Sequence, residues 1–433
     1  MVNAILNFVF NHTPIFYLTQ SIWRDEGFSY FMAKANVWEI ILNSIQDFNP
    51  PLYYITLHFW MKIFGESDIT LRMMSFVFHI LSVYVAYLLV KKIFEEKFAF
   101  FVAALVFFNP MLMYYAFELR MYSMYAFFTL ASLYFFIQKR WRPFTIVSTL
   151  GIYTHSFFIF VILSEIIYLY FQKELSRQTF KKVFKPIIFF IPWIPFMIWQ
   201  FLESKNSWIF PVDLQLITSA LGNLFTSYEG TPGRLWGWTA LLSLIILIFV
   251  YFGFRKNRKY GLLFGILTLV PLSIVLAYSV LRRPIYVNRY LMFVTIGEIM
   301  AMATFIYSLK NRKQRYYLMG IIIVFSVVLN VVSASFHRKV DIRSTILEIK
   351  SLSKKDDVIY ANSSLVYFES AFYFQDQSRV FIYNPSNVAI PKYVGTAVIP
   401  PSKSKMDFPE KPARTFLVKT NGSYELIEKE QIK

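Results

Sequence analysis

The strongest constraint on this chain is a series of apolar stretches whose lengths match or approach the thickness of a lipid bilayer. A helix needs roughly 20 predominantly apolar residues to cross a hydrocarbon core about 30 Å thick. Eleven windows reach or approach this length, at residues 3–20, 72–90, 98–114, 121–138, 142–154, 156–172, 184–202, 236–254, 260–280, 290–309 and 316–336. The pattern predicts an α-helical polytopic membrane protein with about eleven spans.

Some of these windows are weaker than the others. The window 3–20 contains Asn7, Asn11, His12 and Pro14 and is barely long enough, so we expect a span that is tilted or lacks its beginning. The fifth and sixth windows are short, and the stretch "GIYTHSFF" between them predicts a tight external turn.

The placement of positive charge predicts the orientation of the chain. The net charge is +18, but lysine and arginine gather in short clusters on alternate connections rather than on one domain face, which argues against a nucleic-acid partner. The clusters are Lys91/Lys92, Lys139/Arg140/Arg142, Lys181/Lys182/Lys185, Arg255/Lys256/Arg258/Lys259 and Lys310/Arg312/Lys313/Arg315. Basic clusters mark the cytoplasmic side, so the N-terminus is expected inside and the connections 21–71, 115–120, 203–235 and 282–289 outside.

The composition changes to polar near residue 337, and we divide the chain into a membrane domain, 1–336, and a C-terminal domain, 337–433. "DDVIYA" and "RVFIYN" have strand composition, and "SSLVYFESAFYFQ" between them has helical spacing. "RTFLVKTNGSYELIE" carries an Asn-Gly hairpin signal. An odd number of spans places this small α/β domain on the extracytoplasmic side.

The first external loop is too apolar to be a simple linker. "VWEIILNSI" puts Val37, Ile40, Ile41 and Ile45 on one helical face, and "PPLYYITLHFWMKIFG" is aromatic with little charge. Both stretches favour helices that lie in the membrane interface and surround a pocket at the outer surface.

Carboxylates and arginines recur in the loops predicted to face outward. "SIWRDEGFSYF" supplies Asp25 and Glu26, "YYAFELRMYSMY" supplies Glu118 and Arg120, and "RRPIYVNRYLMF" supplies Arg289. Arginine suits a lipid phosphate because its guanidinium is forked and permanently charged. A carboxylate near the anomeric carbon of a sugar could deprotonate an acceptor while the arginine stabilises the departing phosphate.

Each of these residues also has a purely structural interpretation. Asp25 and Glu26 could cap a helix or lie in a solvated loop, and Glu118 and Arg120 could simply be solvated. Arg72 begins a window and could be an interfacial anchor rather than a phosphate ligand. His58 and His155 lack a paired ligand at helical spacing, and the absence of cysteine excludes disulfides and thiolate metal sites.

Four motifs in order resemble a known superfamily. "WRDEGFSYFMA", "NPPLYYITLHFWMKIFGESDITLRMMS", "YYAFELRMYSM" and "NRYLMF" resemble the GT-C membrane glycosyltransferases that include protein O-mannosyltransferases and lipid A aminoarabinose transferases. The resemblance covers residues 23–336, and the polar tail looks like the external domain of bacterial members.

The resemblance implies an inverting transfer of a sugar, a hexose or a pentose, from a polyprenyl-phosphate donor to an acceptor of the cell envelope. The acceptor is a lipid, a polysaccharide or a protein, and transfer takes place on the extracytoplasmic face of the inner or plasma membrane. The motifs assign Asp25 as the catalytic base, with Glu26 as a neighbour that helps to hold the acceptor.

The remaining site residues follow from looser motif matches. Glu118 matches an acidic position of the family, and we group His58 with it for positioning the acceptor or a divalent metal ion. Such an ion, between Asp25 and Glu118, is the only cofactor that the resemblance leaves open. The predicted ligands of the donor phosphate are Arg120, Arg289, Tyr290 and Arg72.

The sequence also departs from the family pattern and leaves competing functions open. Arg24 stands where relatives usually carry an apolar residue. A transporter or flippase of lipid-linked sugars would need ionisable residues within spans or repeated broken helices, whereas the charges here are expected at the ends of the windows. An O-antigen polymerase or ligase would carry its large loop between late spans, and a non-catalytic scaffold is the third alternative.

Overall fold

The computed structural model describes residues 2–203, 208–228, 235–334 and 336–430, and its contacts divide the chain into two compact units. One, which we call the helical unit, comprises Met1–Phe16, Arg72–Phe196 and Ser207–Phe336. The other, the mixed unit, comprises Tyr17–Leu71, Met197–Asn206 and His337–Lys433. The first long loop therefore packs in the same unit as the C-terminal tail. The division into domains 1–336 and 337–433 stays a prediction.

Helices dominate the part of the chain that the structure describes. In chain order they are α1 (Val2–His12), α2 (Ile15–Thr19), α3 (Arg24–Lys34), α4 (Val37–Gln46), α5 (Leu52–Phe64), α6 (Asp68–Ile93), α7 (Glu96–Phe108), α8 (Pro110–Ala116), α9 (Tyr122–Ile137), α10 (Trp141–Thr154), α11 (Ile159–Phe171), α12 (Arg177–Phe190), α13 (Ile194–Glu203), α14 (Leu214–Thr226), α15 (Trp236–Lys256), α16 (Arg258–Leu281), α17 (Met292–Tyr307), α18 (Arg312–Ser333), α19 (Ile342–Leu352) and α20 (Ser364–Phe374).

Six helical segments are long and apolar enough to cross a membrane, counted over the described residues. They are Asp68–Ile93, Arg177–Glu203, Trp236–Lys256, Arg258–Leu281, Asn288–Tyr307 and Arg312–Ser333. A seventh is the pair α7 and α8, which bends by 60° where Asn109 caps α8 and Pro110 begins it. The count of about eleven is not reached on length and composition, because α9, α10 and α11 are shorter.

The predicted windows nevertheless coincide with helices. Every window from 72–90 onward overlaps one or two of them, as a chain in a bilayer requires, because its backbone polar groups must bond internally. The window 3–20 differs from the others in that its helix is interrupted. The helix there breaks at Thr13 and Pro14 into α1 and α2, and no span that meets the criterion lies among its described residues.

The tail folds as the sequence pattern predicts, into a small sheet with helices. The strands β1 (Val358–Ala361), β2 (Val380–Tyr383), β3 (Ser404–Lys405), β4 (Thr415–Val418) and β5 (Tyr424–Ile427) lie in the order β3-β2-β1-β4-β5. Neighbours pair in parallel except β4 and β5, whose antiparallel hairpin turns at Gly422 with φ +85°. Helix α20 is the crossover between β1 and β2, and α19 packs against it.

The first long loop is helical, as its apolar pattern predicts. Helix α4 is capped by Asn36, whose side chain accepts a hydrogen bond from Glu39 N at 3.0 Å. Helix α5 buries Tyr53, Tyr54 and Leu57 in the core of the mixed unit, where it packs against α3. These contacts hold α3, the helix that carries Asp25 and Glu26, in place.

Candidate active site

Asp25 and Glu26 lie in the first turn of α3, which begins at Arg24 after an extended Trp23. Backbone N–H groups in a first turn have no partner within the helix, and the helix dipole favours negative charge there. Trp23 has no side-chain oxygen to cap the turn, so Glu26 Oε2 accepts the hydrogen bond from Trp23 N, at 3.2 Å. The carboxylate pair is thus part of the helix start rather than a solvated loop.

The two carboxylates have different surroundings. Glu26 is fully buried, and its Oε2 accepts a hydrogen bond from Lys339 Nζ at 3.0 Å in an ion pair that is itself almost completely enclosed. Asp25 keeps 21% of its side chain exposed, and its Oδ1 accepts a hydrogen bond from Arg24 Nε at 3.1 Å. Asp25 is therefore the carboxylate that another molecule can reach.

Arg24 and Lys339 surround the indole of Trp23. Each places its charged group 5.3 Å from the ring centroid, within the range of cation–π attraction. The arginine that departs from the family pattern thus stacks on the neighbouring tryptophan and bonds to the proposed base. This arrangement gives Arg24 a defined position in the site.

Glu369 of α20 adds a third carboxylate to this region of the mixed unit. Its Oε1 accepts a hydrogen bond from Arg24 N at 2.8 Å. Burial raises the pKa of the Glu369 carboxyl to about 7, although the hydrogen bond from Arg24 N and the charges of Lys339 and Arg24 act in the opposite direction. The charge of Glu26 adds to the rise. The carboxyl of Glu369 therefore changes its charge near neutral pH, a property that no sequence motif indicated.

His58 is occupied by a structural contact within the mixed unit. The ring is buried, and its Nδ1–H donates to the carbonyl oxygen of Ala33 at 2.8 Å, which ties α5 to α3. No group of three or more His, Cys, Asp or Glu side chains able to hold a metal ion is found in the described ranges. The donor set therefore does not fit the divalent ion that the resemblance left open.

In the helical unit, Glu118 and Arg120 lie in the turn between α8 and α9. Both side chains are buried, so the interpretation that they are solvated is wrong. Ser75 of α6 holds the turn, because its hydroxyl donates to Glu118 O at 2.7 Å. Arg120 N also donates to Glu118 O at 2.7 Å. Ser75 thus bonds the turn to α6, and the Arg120 bond closes the turn itself.

Arg289 lies in a short 3-10 turn, Asn288–Leu291, just before α17. Its Nε donates to the hydroxyl of Tyr122 at 3.1 Å, and its guanidinium carbon is 5.0 Å from the ring centroid of Trp208 and 5.8 Å from that of Tyr290. When an arginine is held by a hydrogen bond at Nε and by stacking on aromatic rings, its planar guanidinium keeps one orientation. Arg289 and Tyr290, the "RY" pair of the sequence, thus contact each other within this turn.

His155, for which the sequence favoured a structural role, belongs with Arg120 and Arg289 in the helical unit. Its ring stacks on Tyr125 with centroids 4.9 Å apart and contacts Tyr290 at 5.2 Å. Burial first, and then the charges of Arg120 and Arg289, lower the pKa of the imidazole to about 3. The charges of both guanidiniums therefore influence the His155 ring. We call Arg120, Arg289, His155, Tyr122 and Tyr290 the arginine cluster.

The tautomer of His155 follows from its local bonding. Its Nδ1 accepts a hydrogen bond from Phe157 N at 3.2 Å, so the neutral ring carries its hydrogen on Nε2. A neutral donor beside two arginines suits an anionic ligand. No sequence motif indicated that His155 belongs to the site, because aromatic residues like those around it are as frequent elsewhere in the chain.

Arg72 is completely buried and is the largest of the fully buried side chains in the described residues. An interfacial anchor keeps its charged head in water. The anchor interpretation is therefore wrong, and a role inside the protein is left for this guanidinium.

Two further carboxylates lie within helices, where the sequence analysis expected none. In α11, Glu165 Oε1 accepts a hydrogen bond from Ser132 at 2.9 Å, and Ser132 and Ser148 are 2.9 Å apart. In α17, Glu298 is fully buried, and neither of its carboxyl oxygens has a hydrogen-bond partner among the described residues. The expectation that charges occur only at the window ends is wrong for these two residues.

Comparison with known proteins supports the fold that these elements form. The family model for dolichyl-phosphate-mannose-protein mannosyltransferase matches residues 49–199, about a third of the chain. No curated protein sequence matches.

Solved structures match over much more of the chain. ArnT from Cupriavidus metallidurans in the apo state aligns with a TM-score of 0.63 at 10% identity, over 96% of this chain and 91% of that one. The same protein bound to undecaprenyl phosphate aligns at 0.58 and 11% identity, over 96% and 92%. The Archaeoglobus fulgidus oligosaccharyltransferase in complex with Zn and sulfate aligns at 0.51 and 11% identity, over 83% and 58%.

Over the aligned length, this chain combines helices able to span a membrane with a small five-stranded sheet. Together, the family match and the shared fold place the chain in the GT-C superfamily, as its motifs predicted. It is a multi-pass membrane protein with the GT-C fold.

Proposed function

We propose that this protein is an inverting glycosyltransferase that moves a sugar from a polyprenyl-phosphate donor to an acceptor of the cell envelope. The observation that carries the proposal is the arginine cluster, in which Tyr122 holds Arg289 by a hydrogen bond and the charges of Arg289 and Arg120 both lower the pKa of the buried His155 imidazole. Two permanent positive charges that influence one ring are suited to a phosphate. One of the structures with this fold is ArnT bound to undecaprenyl phosphate, which supports a donor of that class.

The chemistry assigned to Asp25 is that of a general base. Asp25 takes the proton of an acceptor hydroxyl or amine, and the acceptor atom attacks the anomeric carbon from the face opposite the phosphate. The bond between that carbon and the phosphate oxygen breaks, and the polyprenyl phosphate leaves with the electron pair. The products are the inverted glycoside and a polyprenyl phosphate, and the exposure of Asp25 beside buried Glu26 supports this choice of base.

The arginines stabilise the leaving group in this proposal. Arg120 and Arg289 neutralise the charge that develops on the phosphate, and Tyr290 and His155 complete its surroundings. Arg72 remains a predicted phosphate ligand because its guanidinium is buried in the same helical unit. Glu118 and His58 remain predicted to position the acceptor, and no step passes through a metal ion.

The proposed location follows from the charge pattern and the chemistry. The protein lies in the inner or plasma membrane with its N-terminus in the cytoplasm and its C-terminal sheet outside. Donor and acceptor then meet on the extracytoplasmic face, where a lipid carrier supplies the sugar. The donor sugar is a hexose or a pentose, and the acceptor is a lipid, a polysaccharide or a protein.

The test is the glycan profile of the envelope, measured by mass spectrometry in a strain that lacks the protein. The strain is complemented with wild type, with Asp25→Asn, or with Asp356→Asn, which changes an exposed aspartate of the tail. We expect wild type and Asp356→Asn to restore a missing sugar and Asp25→Asn to fail. Restoration by Asp25→Asn would refute the base assignment.

Transport of a lipid-linked sugar is the second candidate function, and one observation favours it. Glu165 and Glu298 are buried within helices, and buried ionisable residues in membrane segments commonly serve transport. If the protein is a flippase, Glu165→Gln or Glu298→Gln should abolish its effect on the envelope. If it is a glycosyltransferase, both variants should still restore the sugar, since the amide preserves volume and hydrogen bonding.

A further inference from the structure

The start of α3 is held in place by side chains from the C-terminal tail of the same unit. Three successive backbone N–H groups precede Asp25, and each donates to a side-chain oxygen. Ile22 N donates to Tyr373 Oη at 2.6 Å, Trp23 N to Glu26 Oε2 at 3.2 Å, and Arg24 N to Glu369 Oε1 at 2.8 Å. Two of the three acceptors lie on α20, so the tail itself completes the helix start.

The acceptors are anchored in turn. The hydroxyl of Tyr373 donates to Asp68 Oδ2 at 2.6 Å, and Arg343 of α19 reaches the same oxygen at 3.3 Å. Arg343 Nη2 also donates to Thr19 O at 2.9 Å. The segment that leads into α3 is therefore hydrogen-bonded to residues of both α19 and α20.

Lys339 provides the charged contact of this arrangement. Its Nζ donates to Glu26 Oε2, and its backbone N donates to Gln20 Oε1 at 3.1 Å. Only 7% of the Lys339 side chain and none of the Glu26 side chain is exposed. A buried carboxylate whose oxygen is already shared by an ammonium and a backbone N–H has no surface left with which to hold an acceptor.

Helices α3 and α20 pack closely together at Gly27. A Cβ added at Gly27 would lie 2.8 Å from Cβ of Phe368 and 3.2 Å from its carbonyl carbon. Glycine at this position therefore allows α3 and α20 to come close enough for the bonds from Arg24 and Ile22 to form. The glycine follows directly after Asp25 and Glu26 in the sequence.

We propose that Glu26 is a positioning residue that acts through Lys339, and that the C-terminal tail builds the turn on which the base Asp25 is carried. This inference rests on the proposed function, and it assigns to the tail a role in the transfer reaction itself. Glu26 does not contact the acceptor, and Lys339, Glu369 and Tyr373 fix the backbone that aims Asp25. A catalytic group displaced by about 1 Å loses on the order of 100-fold in rate, so the contacts have kinetic consequences.

The experiment compares Lys339→Met, Glu26→Gln and the double variant with wild type in detergent-solubilised full-length protein. Membrane extract from the deletion strain supplies donor and acceptor, and the rate of sugar transfer is measured as the amount of extract varies. Lys355→Met, which changes an exposed lysine of the tail, is the matched control. The melting temperature of each variant identifies any protein that fails to fold.

We expect Lys339→Met to lower kcat by about 10- to 100-fold, with the apparent KM for the extract within about twofold of wild type. The reason is that it leaves the Glu26 carboxylate buried without its ammonium. Removing both charges in the double variant should restore kcat to within a few-fold of Glu26→Gln. Lys355→Met should behave as wild type.

Two results would overturn the inference. If Glu26→Gln raises KM tenfold, and the increase is the same whether or not Lys339 is also replaced, then Glu26 holds the acceptor. A folded Lys339→Met with wild-type kcat would mean that the tail does not position the base. Absence of transfer by wild type itself would instead refute the proposed function, so the two failures are distinguishable.

Discussion

Replacing Arg289 by lysine tests the arginine cluster because it keeps the charge and removes the fork. The structure shows what the guanidinium contributes: a hydrogen bond from Nε to Tyr122 and stacking on Trp208 and Tyr290. A charge-assisted hydrogen bond is worth about 1.5–3 kcal/mol, and a cation–π contact about 0.5–1 kcal/mol. Because lysine keeps the charge, we expect a loss of roughly 2–3 kcal/mol, or about 30- to 150-fold in Kd for polyprenyl phosphate.

The assay is equilibrium binding of radiolabelled polyprenyl phosphate to the solubilised protein. Arg282→Lys, at an exposed arginine of the same connection, is the control and should leave Kd unchanged. Tyr122→Phe removes only the acceptor of the Nε bond and leaves the stacking intact, so Kd should rise less than it does for Arg289→Lys. Equal affinities for Arg289→Lys and wild type, or an equal loss for Arg282→Lys, would refute a phosphate site at the arginine cluster.

Three further predictions concern stability and the buried carboxylates. Because the folded-state pKa of Glu369 is about 7, above the ordinary 4.5, the folded form retains a proton that the unfolded form releases, so the melting temperature should fall from pH 5 to pH 7.5. Glu369→Gln should remove that slope, and an unchanged slope would contradict the assignment. Gly27→Ala should cost about 1–3 kcal/mol through the clash with Phe368, seen as a lower melting temperature, and an unchanged melting temperature would argue against the close approach. Glu165→Gln and Glu298→Gln should each retain transfer activity, measured with the membrane extract, and loss of transfer would favour the transport alternative.

The sequence predicts the helices well because membrane insertion leaves the backbone few alternatives. Apolar windows from 72–90 onward coincide with helices, and the Asn-Gly pair at 421–422 marks the hairpin of β4 and β5. The helix over 3–20 is interrupted, because Pro14 and the polar residues before it end α1 at His12. Length alone could not decide the number of spans, since α9 to α11 are short.

The site was only partly accessible from the sequence. Motifs predict Asp25 and Arg289 as site residues, whereas the partner of Glu26 is Lys339, 313 positions away, and no local pattern specifies such a pair. The place of His155 in the arginine cluster was missed for the same reason, because its ring neighbours come from α9 and the turn before α17. The buried positions of Glu118 and Arg120 likewise depend on Ser75 of a distant helix.

The most direct test of glycosyl transfer is the fate of a labelled donor lipid in proteoliposomes that contain the purified protein and envelope extract. The lipid is a polyprenyl-phosphate sugar bearing the sugar identified from the envelope mass difference. For wild type, we predict polyprenyl phosphate and a glycosylated acceptor in equal amounts, and for Asp25→Asn neither product. If the donor lipid instead moves between the leaflets uncleaved, and Asp25→Asn moves it equally well, the protein is a transporter and the proposed function is contradicted.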